Sequence, residues 1–324
     1  MELPAPLRQA IDEMLHGIPV SEIAQAATVL SERYRAEVRD GRLHMNADLA
    51  VKAYLATRMP ATFAAVHASL DAAAAAMPDF APKTMLDVGS GPGTVLWAAA
   101  SVWPELETAT LLDASEPARR AGRAISDNLR QVTTTWIAGD ATLDLRGQTS
   151  HELVTCAYVL DEVPPASLTG LVDSLWTATK DMLVIVEPGT PAGWRRVLDA
   201  RARLIGIGAH VAAPCPHQAP CPLAAPDWCH FARRVARSRI HRIAKGADVP
   251  WEDEKFIYLA ATRAAPVDRS ARVLAPPKHG SGKVQLKLCQ PDGTAVERLL
   301  TKRDGAIFKE ARRADWGDTF SGSD

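Results

Sequence analysis

A glycine-rich turn preceded by an aspartate is the segment of this sequence with the clearest chemistry. Residues 86–93 read LDVGSGPG and stand between a predicted buried strand and a predicted helix. Gly89, Gly91 and Gly93 let the backbone pass close to a ligand where the helix N–H groups point outward. Nicotinamide-binding folds carry a similar turn and place a pyrophosphate on it. Asp87, two residues before the first glycine, would repel a pyrophosphate and attract the α-amino group of S-adenosylmethionine.

Two more aspartates follow the next two predicted strands. Asp113 closes the second strand, where its carboxylate can accept hydrogen bonds from both hydroxyls of a ribose. Asp140 follows the third strand, at the position expected for an adenine amino group. One glycine-rich turn is a weak signal, and the alternative is a tight turn in another nucleotide-binding fold. Three acids at the carboxyl ends of successive strands favour adenosylmethionine, because ligands of open parallel sheets bind at those ends.

Four of the five cysteines are spaced in a way that suits a metal centre. Cys215, Cys221 and Cys229 are separated by five and then seven residues, and Cys289 follows after a further 59. So few cysteines in 324 residues do not make a disulfide scaffold. Three of them lie in a Pro-rich polar segment, which argues against inert core thiols. Cys156 lies in the middle of a predicted strand, and we expect it to be a core residue.

Zinc and an iron–sulfur cluster are the two candidates for this cysteine set. His217 and His230 could replace a thiolate at a zinc ion, but the usual short knuckle of two closely spaced cysteines is absent. The wide spacing suits the larger [4Fe–4S] cube slightly better, because its four corners need more reach than one tetrahedral ion. Spacing alone leaves both candidates open.

Composition describes a chain that can bury a large core. Of its 324 residues 47% are apolar and 23% are charged, with 37 Lys+Arg against 38 Asp+Glu, which excludes a disordered protein. No apolar run approaches the roughly 18 residues that span a bilayer. The N-terminal segment contains acids and lacks the pattern of a secretory or organellar leader. We therefore expect a cytoplasmic protein with no membrane segment, and a monomer.

The near-zero net charge conceals two basic stretches. Residues 229–245 carry six Lys or Arg and no acid, and residues 271–313 carry ten Lys or Arg against four acids. A single charged stretch is usually a solvated face. Two such stretches in one chain favour a polyanionic partner.

The first two-thirds of the chain divides into a helical part and an α/β part. Residues 1–80 predict an N-terminal helical cap, because apolar residues recur at helical spacing without strand signals. In residues 81–209 strands alternate with helices, which indicates βαβ units and a parallel sheet covered on both faces. The predicted strands are 84–88, 109–112, 133–137, 153–160 and 182–186, and the predicted helices are 94–102, 117–129, 167–178 and 194–204.

The last third of the chain adds two elaborations to this core. Residues 210–270 contain the cysteine loop, a predicted basic helix and the last core strand. Residues 271–324 form a basic extension in which two predicted strands, 284–288 and 295–301, flank Pro291-Asp292-Gly293. That arrangement is a β-hairpin signal.

Six short blocks spread over nearly the whole chain resemble those of a known family. In chain order they are residues 54–62 (YLATRMPAT), 86–93 (LDVGSGPG), 186–193 (VEPGTPAG), 215–231 with its three cysteines, 252–256 (EDEKF) and 316–318 (WGD). The cysteine block together with Cys289 is the specific part. On these blocks the chain resembles the Rsm-type ribosomal small-subunit methyltransferase-like family, which includes mitochondrial small-subunit assembly proteins and bacterial relatives.

The resemblance implies a fold, cofactors and a partner. The fold is a class I (Rossmann-like) methyltransferase sheet, elaborated at its C-terminal side by an iron–sulfur site and a β-hairpin. The partner is small-subunit ribosomal RNA, or the pre-ribosomal small subunit that contains it. The implied ligands of a [4Fe–4S] cluster are Cys215, Cys221, Cys229 and Cys289, which favours iron over zinc. The implied S-adenosyl-L-methionine site combines Asp87, Gly89, Gly91, Gly93, Asp113 and Asp140.

The residues that would carry methyl transfer stay unassigned. Enzymes that methylate amino groups commonly show Asn/Asp-Pro-Pro-aromatic after the fourth strand, whereas this chain has Asp161-Glu162-Val163-Pro164-Pro165, which is offset and lacks the aromatic residue. That loop has no cysteine to serve as the nucleophile of a carbon-5 cytosine enzyme. Asp161, Glu162 and Glu187 are candidates only. Two functions are compatible with the sequence: a ribosomal RNA methyltransferase, or a non-catalytic assembly factor that binds ribosomal RNA through a methyltransferase fold.

Overall fold

A central eight-stranded sheet organises the chain, as seen in a computed structural model that describes residues 1–35, 43–145, 149–246, 248–267 and 269–322. The strands are β1 (Thr84–Val88), β2 (Thr108–Asp113), β3 (Thr133–Ala138), β4 (His151–Ala157), β5 (Thr179–Pro188), β6 (His210–Ala213), β7 (Phe231–Ala236) and β8 (Trp251–Thr262). Their order is β3-β2-β1-β4-β5-β8-β6, and β7 also pairs with β8. Strands β1 to β5 are parallel, and β8 runs antiparallel to β5, β6 and β7.

Four helices connect the parallel strands or follow them. They are α5 (Thr94–Val102), α6 (Glu116–Ser126), α7 (Pro165–Ala178) and α8 (Pro191–Gly206). Helix α6 begins as predicted, because the Ser115 side chain accepts a hydrogen bond from the N–H of Ala118 and a proline follows in the first turn. The α/β part of the sequence prediction is confirmed, with boundaries that differ by a few residues.

The N-terminal part is helical wherever it is described. It contains α1 (Ala5–Leu15), α2 (Val20–Arg35), α3 (Asp48–Thr57) and α4 (Met59–Ala76). Apolar side chains on these helices, such as Leu7, Ile23 and Phe63, are buried in the same hydrophobic core as the strands. The cap is therefore held by the burial of apolar surface that also holds the sheet.

The prediction of one basic helix leading up to Lys245 is wrong for the first half of that segment. Residues Phe231–Ala236 form strand β7, and the helix that follows, α9 (Arg239–Ala244), is short. Strand β7 lies opposite the acidic start of β8, with Arg234 paired to Asp253 in the register and Arg233 paired to Glu254. Opposite charges on facing strands stabilise a sheet, and this pattern cannot be read from apolar spacing.

The last described residues form a small sheet with its own core. Its strands are β9 (Ala271–Val273), β10 (Lys278–Gly280), β11 (Lys283–Cys289), β12 (Ala295–Thr301) and β13 (Thr319–Phe320), and one helix, α10 (Gly305–Ala311), follows β12. The β11–β12 hairpin confirms the predicted hairpin. Buried Leu286, Leu300 and Phe308 belong to a hydrophobic cluster separate from the main core.

No helix in the described part of the chain is long and apolar enough to cross a bilayer.

Candidate functional site

A large cleft opens at the carboxyl ends of the parallel strands, where such sheets bind ligands. Its volume is about 1250 Å³, above the usual upper range of roughly 1,000 Å³ for a small-molecule site. Gly89, Gly91, Asp113 and Asp140 line it, as do side chains from the helical cap, Arg58 among them. The structure thus brings together four of the six residues expected to hold adenosylmethionine on one cleft surface.

The glycine turn has a backbone conformation that other residue types adopt only with strain. Gly89, Gly91 and Gly93 have φ angles of 71°, 53° and 81°, all in the left-handed region. A side chain at Gly89 would also lie 2.3 Å from Val159, and one at Gly93 would lie 3.2 Å from Trp136. Gly93 does not line the cleft. Its smallness lets helix α5 pack closely on the sheet.

Asp87 is fully buried at the end of β1 and has only part of its hydrogen bonding satisfied. Its Oδ1 accepts a hydrogen bond of 2.7 Å from the hydroxyl of Thr155. Its Oδ2 has no partner among the residues that the structure describes. Burial raises the pKa of Asp87 to about 7, against an ordinary value of 3.8. The carboxylate thus lacks the cation that would offset its desolvation.

Asp113 holds the glycine turn in place. Its Oδ2 accepts a hydrogen bond of 2.7 Å from the N–H of Gly91, and its Oδ1 accepts one of 2.7 Å from the N–H of Ser115. Burial raises the pKa of Asp113, and these two backbone donors oppose that effect. Each carboxylate oxygen keeps capacity for a second donor, such as a ribose hydroxyl.

Asp140 is exposed at the rim of the cleft. Its Oδ1 accepts hydrogen bonds from the backbone and the hydroxyl of Thr142, at 2.7 and 2.5 Å. This local turn fixes the carboxylate on the loop after β3. Its Oδ2 accepts no hydrogen bond from a described residue.

The loop after β4 carries a tyrosine that the sequence analysis missed. Tyr158 has a φ of 58°, the only positive φ of a described residue other than glycine. Its hydroxyl donates to Glu254 at 3.1 Å, and Arg58 of the cap lies 3.5 Å from the same carboxylate. Burial raises the pKa of Tyr158 well above its ordinary value, so the phenol keeps its proton. Strained residues of this kind cluster at functional sites, and the blocks 54–62 and 252–256 were the signal that could have pointed to Arg58 and Glu254.

The three acids considered for catalysis have different roles. Glu187 is fully buried, pairs with Arg196 at 2.9 Å and accepts a hydrogen bond from the N–H of Leu160, so it positions the loop. Asp161 is buried and lines the cleft. Glu162 also lines the cleft, where burial, and then the nearby acids, raise its pKa to about 8. Pro164 is the N-cap of helix α7, and Pro165 is its first residue.

Cys215, Cys221, Cys229 and Cys289 all line one small cavity between the core sheet and the C-terminal sheet. Cys215 and Cys221 lie in the loop after β6, Cys229 precedes β7, and Cys289 ends β11. Burial raises the pKa of the Cys289 thiol to about 12 and that of the Cys229 thiol well above its usual value. Cys156 is buried in β4, as predicted. Across the described ranges, no group of three His, Cys, Asp or Glu side chains stands ready to hold a single metal ion.

The two histidines that could complete a zinc site are separated. His217 lines the cysteine cavity, and its Nε2 lies 3.3 Å from the sulfur of Cys289. His230 instead stacks on Trp228 and meets Trp316 edge-on.

Three of the six cations in the first basic stretch are paired with acids of β8. Arg234 pairs with Asp253 at 2.9 Å, Arg237 with Glu252 at 3.0 Å, and Lys245 with Glu252 at 2.9 Å. In the C-terminal sheet, by contrast, the described cations without an ion pair are numerous and exposed, and they include Lys278, Lys283, Lys302, Arg303 and Lys309. Among the described residues, the first stretch keeps exposed Arg239 and Arg242 outside the ion pairs, and the second stretch presents the larger number of free cations.

The strand order, the antiparallel β8 and the cleft at the glycine turn define the α/β fold of class I methyltransferases. Within that class the chain belongs to the Rsm22 family: the family described as mitochondrial small ribosomal subunit Rsm22 matches residues 48–321. The resemblance drawn from the sequence blocks is thereby confirmed.

Two curated relatives and one solved structure illustrate these similarities. The chain is 31% identical over 283 residues to the human "Ribosome assembly protein METTL17, mitochondrial", covering 82% of this chain and 61% of that protein. It is 24% identical over 337 residues to the Schizosaccharomyces pombe "Rsm22-cox11 tandem protein 2, mitochondrial", covering 88% and 45%. The chain thus spans only about half to three-fifths of these relatives. Magnesium protoporphyrin IX methyltransferase from Synechocystis superposes with a TM-score of 0.41 at 14% identity, covering 72% and 91%.

The buried carboxyl of Asp87 should make stability depend on pH. Between about pH 4 and pH 7 the unfolded chain loses this proton while the folded chain keeps it, so the free energy of unfolding falls as pH rises. The Asp87→Asn variant removes this dependence. We expect the free energy of unfolding of the variant minus that of wild type to rise by on the order of a few kcal/mol between pH 4 and pH 7.5. Urea unfolding at a series of pH values measures this difference. A pH-independent difference would contradict the raised pKa.

Proposed function

We propose that this chain is an S-adenosylmethionine-binding, methyltransferase-like protein that acts on small-subunit ribosomal RNA during assembly of the small ribosomal subunit. The assembly role rests on its family and on the human relative, which is named as a ribosome assembly protein. The cofactor role rests on the cleft. The cytoplasmic location expected from the sequence stays a prediction, since the relatives are named as mitochondrial.

The observation that carries the cofactor proposal is the Oδ2 of buried Asp87, which has no hydrogen-bond partner within the described ranges. A buried carboxylate is expensive unless a cation pairs with it. The α-ammonium group of adenosylmethionine would supply that cation at the glycine turn, Asp113 would accept from the ribose, and Asp140 would take the adenine amino group. When bound, the cofactor supplies a sulfonium methyl group as the electrophile. The residues present fit this ligand.

The non-catalytic assembly factor remains the second candidate. The loop after β4 favours it, because Glu187 is tied to Arg196 and to the backbone, and the two prolines start a helix. In that case adenosylmethionine would stabilise the fold without donating its methyl group.

The cysteine cavity supports the second part of the proposal, a [4Fe–4S] cluster held by Cys215, Cys221, Cys229 and Cys289. The four thiols come from two segments, the β6–β7 loop and the end of β11, and meet at one cavity. Free thiols in such a group suit a metal centre better than a core. Zinc on three thiolates and His217 is the competing arrangement.

The RNA-binding surface is proposed to be the exposed basic face of the C-terminal sheet. Lys278, Lys283 and Lys302 lie near the β10–β11 turn and the end of β12, where the register pairs Gly280 with Lys283 and the side chain of Lys302 lies near Gly282. Unpaired cations can replace the counterions of RNA phosphates, whereas cations already paired with acids contribute little.

Adenosylmethionine binding should depend on Asp87. In isothermal titration of anaerobically purified protein, we expect Asp87→Asn to weaken binding by about 2–5 kcal/mol, because a desolvated charge pair is lost. Asp79→Asn changes an exposed acid outside the cleft and serves as the matched control. Equal affinity in the two variants would show that the glycine turn is not the cofactor site.

The protein should be brown when it is purified without oxygen. We expect Cys289→Ser to remove the visible absorption and the bound iron, because one ligand of the cluster is lost. Cys156→Ala, at the cysteine outside the cavity, should keep both. One equivalent of zinc in a colourless wild-type protein would refute the cluster and support the zinc arrangement.

RNA affinity should depend on the C-terminal lysines more than on the arginines of β7. We expect the triple change of Lys278, Lys283 and Lys302 to glutamine to reduce the salt dependence of binding to small-subunit RNA by about 0.7–0.9 log units per lost phosphate contact. The Arg234→Gln, Arg237→Gln variant should change it little. Filter binding across a salt series measures both, and the reverse ranking would move the RNA surface to β7.

A further inference from the structure

Two buried arginines flank the cysteine cavity with no carboxylate partner among the residues that the structure describes. Arg201 on α8 is 5% exposed and Arg272 on β9 is 6% exposed, and both line the cavity. A guanidinium group cannot lose its proton in a protein. Both positive charges are therefore buried beside the four thiols.

The hydrogen bonds of the two arginines bring no negative charge. Arg201 donates to the carbonyl oxygens of His217 and Ala219. Arg272 donates to the carbonyl oxygens of Pro214 and Gly317. The Nε of Arg201 is buried with no partner in the described part of the chain.

The neighbouring acids are engaged elsewhere. Asp227 pairs with Lys287, and Asp292 accepts hydrogen bonds from the backbone and hydroxyl of Thr294. Two buried cations with no counter-charge are strongly unfavourable. With protonated thiols the cavity therefore has a net positive charge that nothing in the described chain compensates.

We propose that Arg201 and Arg272 compensate the charge of an anionic thiolate complex in the cysteine cavity and thereby raise its reduction potential. This inference rests on the proposed cluster. Four thiolates around an oxidised [4Fe–4S] core form a dianion, which two guanidinium groups would balance. Reduction adds another negative charge, so nearby cations favour the reduced form. Both arginines are positioning and tuning residues, since neither is a ligand.

The two arginines approach the cysteine cavity from different elements, α8 of the core and β9 of the C-terminal sheet. Arg272 lies opposite Cys289 in the β9–β11 register and reaches the carbonyl next to Cys215. Arg201 reaches the same loop from α8. The alternative is a purely structural role, in which the arginines only hold the cysteine loop through their contacts with carbonyl oxygens. The experiment must distinguish this role from charge compensation.

The test is a dithionite redox titration of the anaerobically purified full chain, followed by its visible and electron paramagnetic resonance spectra. We expect Arg201→Gln and Arg272→Gln each to lower the equilibrium constant for one-electron reduction about tenfold, a shift of about 59 mV to more negative potential. Arg201→Lys and Arg272→Lys keep the charge and should stay close to wild type. Arg313→Gln, at an exposed arginine outside the cavity, is the control.

Each outcome decides the inference or the proposal beneath it. If the glutamine variants lose the cluster while the lysine variants keep it, charge is required and the inference holds. If lysine and glutamine variants lose the cluster or shift its potential equally, carbonyl contacts matter and the inference is wrong. Unchanged potentials in all variants also overturn it. A wild-type protein without iron would instead refute the proposed cluster itself.

Discussion

A buried charge requires a partner of opposite sign, and this fold leaves such charges incomplete at two places. In the described part of the chain, Asp87 lies under the glycine turn as a carboxyl with one unsatisfied oxygen, and Arg201 and Arg272 lie beside the cysteines without a paired acid. Buried Glu187, by contrast, is paired with Arg196. These two places are the sites at which the family resemblance implies ligands of the opposite charge. The ammonium group of adenosylmethionine would lie at Asp87, and an anionic cluster would lie beside the two arginines.

The helical cap and the sheet depend on each other around the cleft. Tyr54 of α3 shares a hydrogen bond with Thr94 at the start of α5, and the backbone oxygen of Met45 accepts one from Ser115. Arg58 reaches across to Glu254 of β8, which also binds Tyr158. The cleft is therefore enclosed by cap, β4 loop and β8 together, and its shape depends on contacts between segments far apart in sequence.

The parts of this molecule that could be predicted are those whose structure depends on residues close together in sequence. Buried parallel strands appear as short apolar runs, so β1, β4 and β5 were predictable, and the glycine turn and strand-end acids follow from the chemistry of a sheet edge. Strand β7 was missed because opposing charges on β8 stabilise it instead of an apolar pattern. The left-handed Tyr158 and its link to Arg58 depend on tertiary contacts that no local pattern records. Likewise, the sequence showed two basic stretches but not the ion pairs to β8 that neutralise half of the first one.

The cysteine cavity has a consequence for the order in which the chain is made. Ribosomes synthesise a chain from its N-terminus at about 5–20 residues per second. The last core strand, β8, therefore emerges before the C-terminal sheet does. Cys289 and Arg272 both belong to that sheet, so neither the fourth thiol nor the second guanidinium group is present while the core first folds. Until the hairpin docks, the cavity has only the three thiols of the β6–β7 loop. Completion of the cavity thus reports that synthesis has passed residue 289 and that the two sheets have joined.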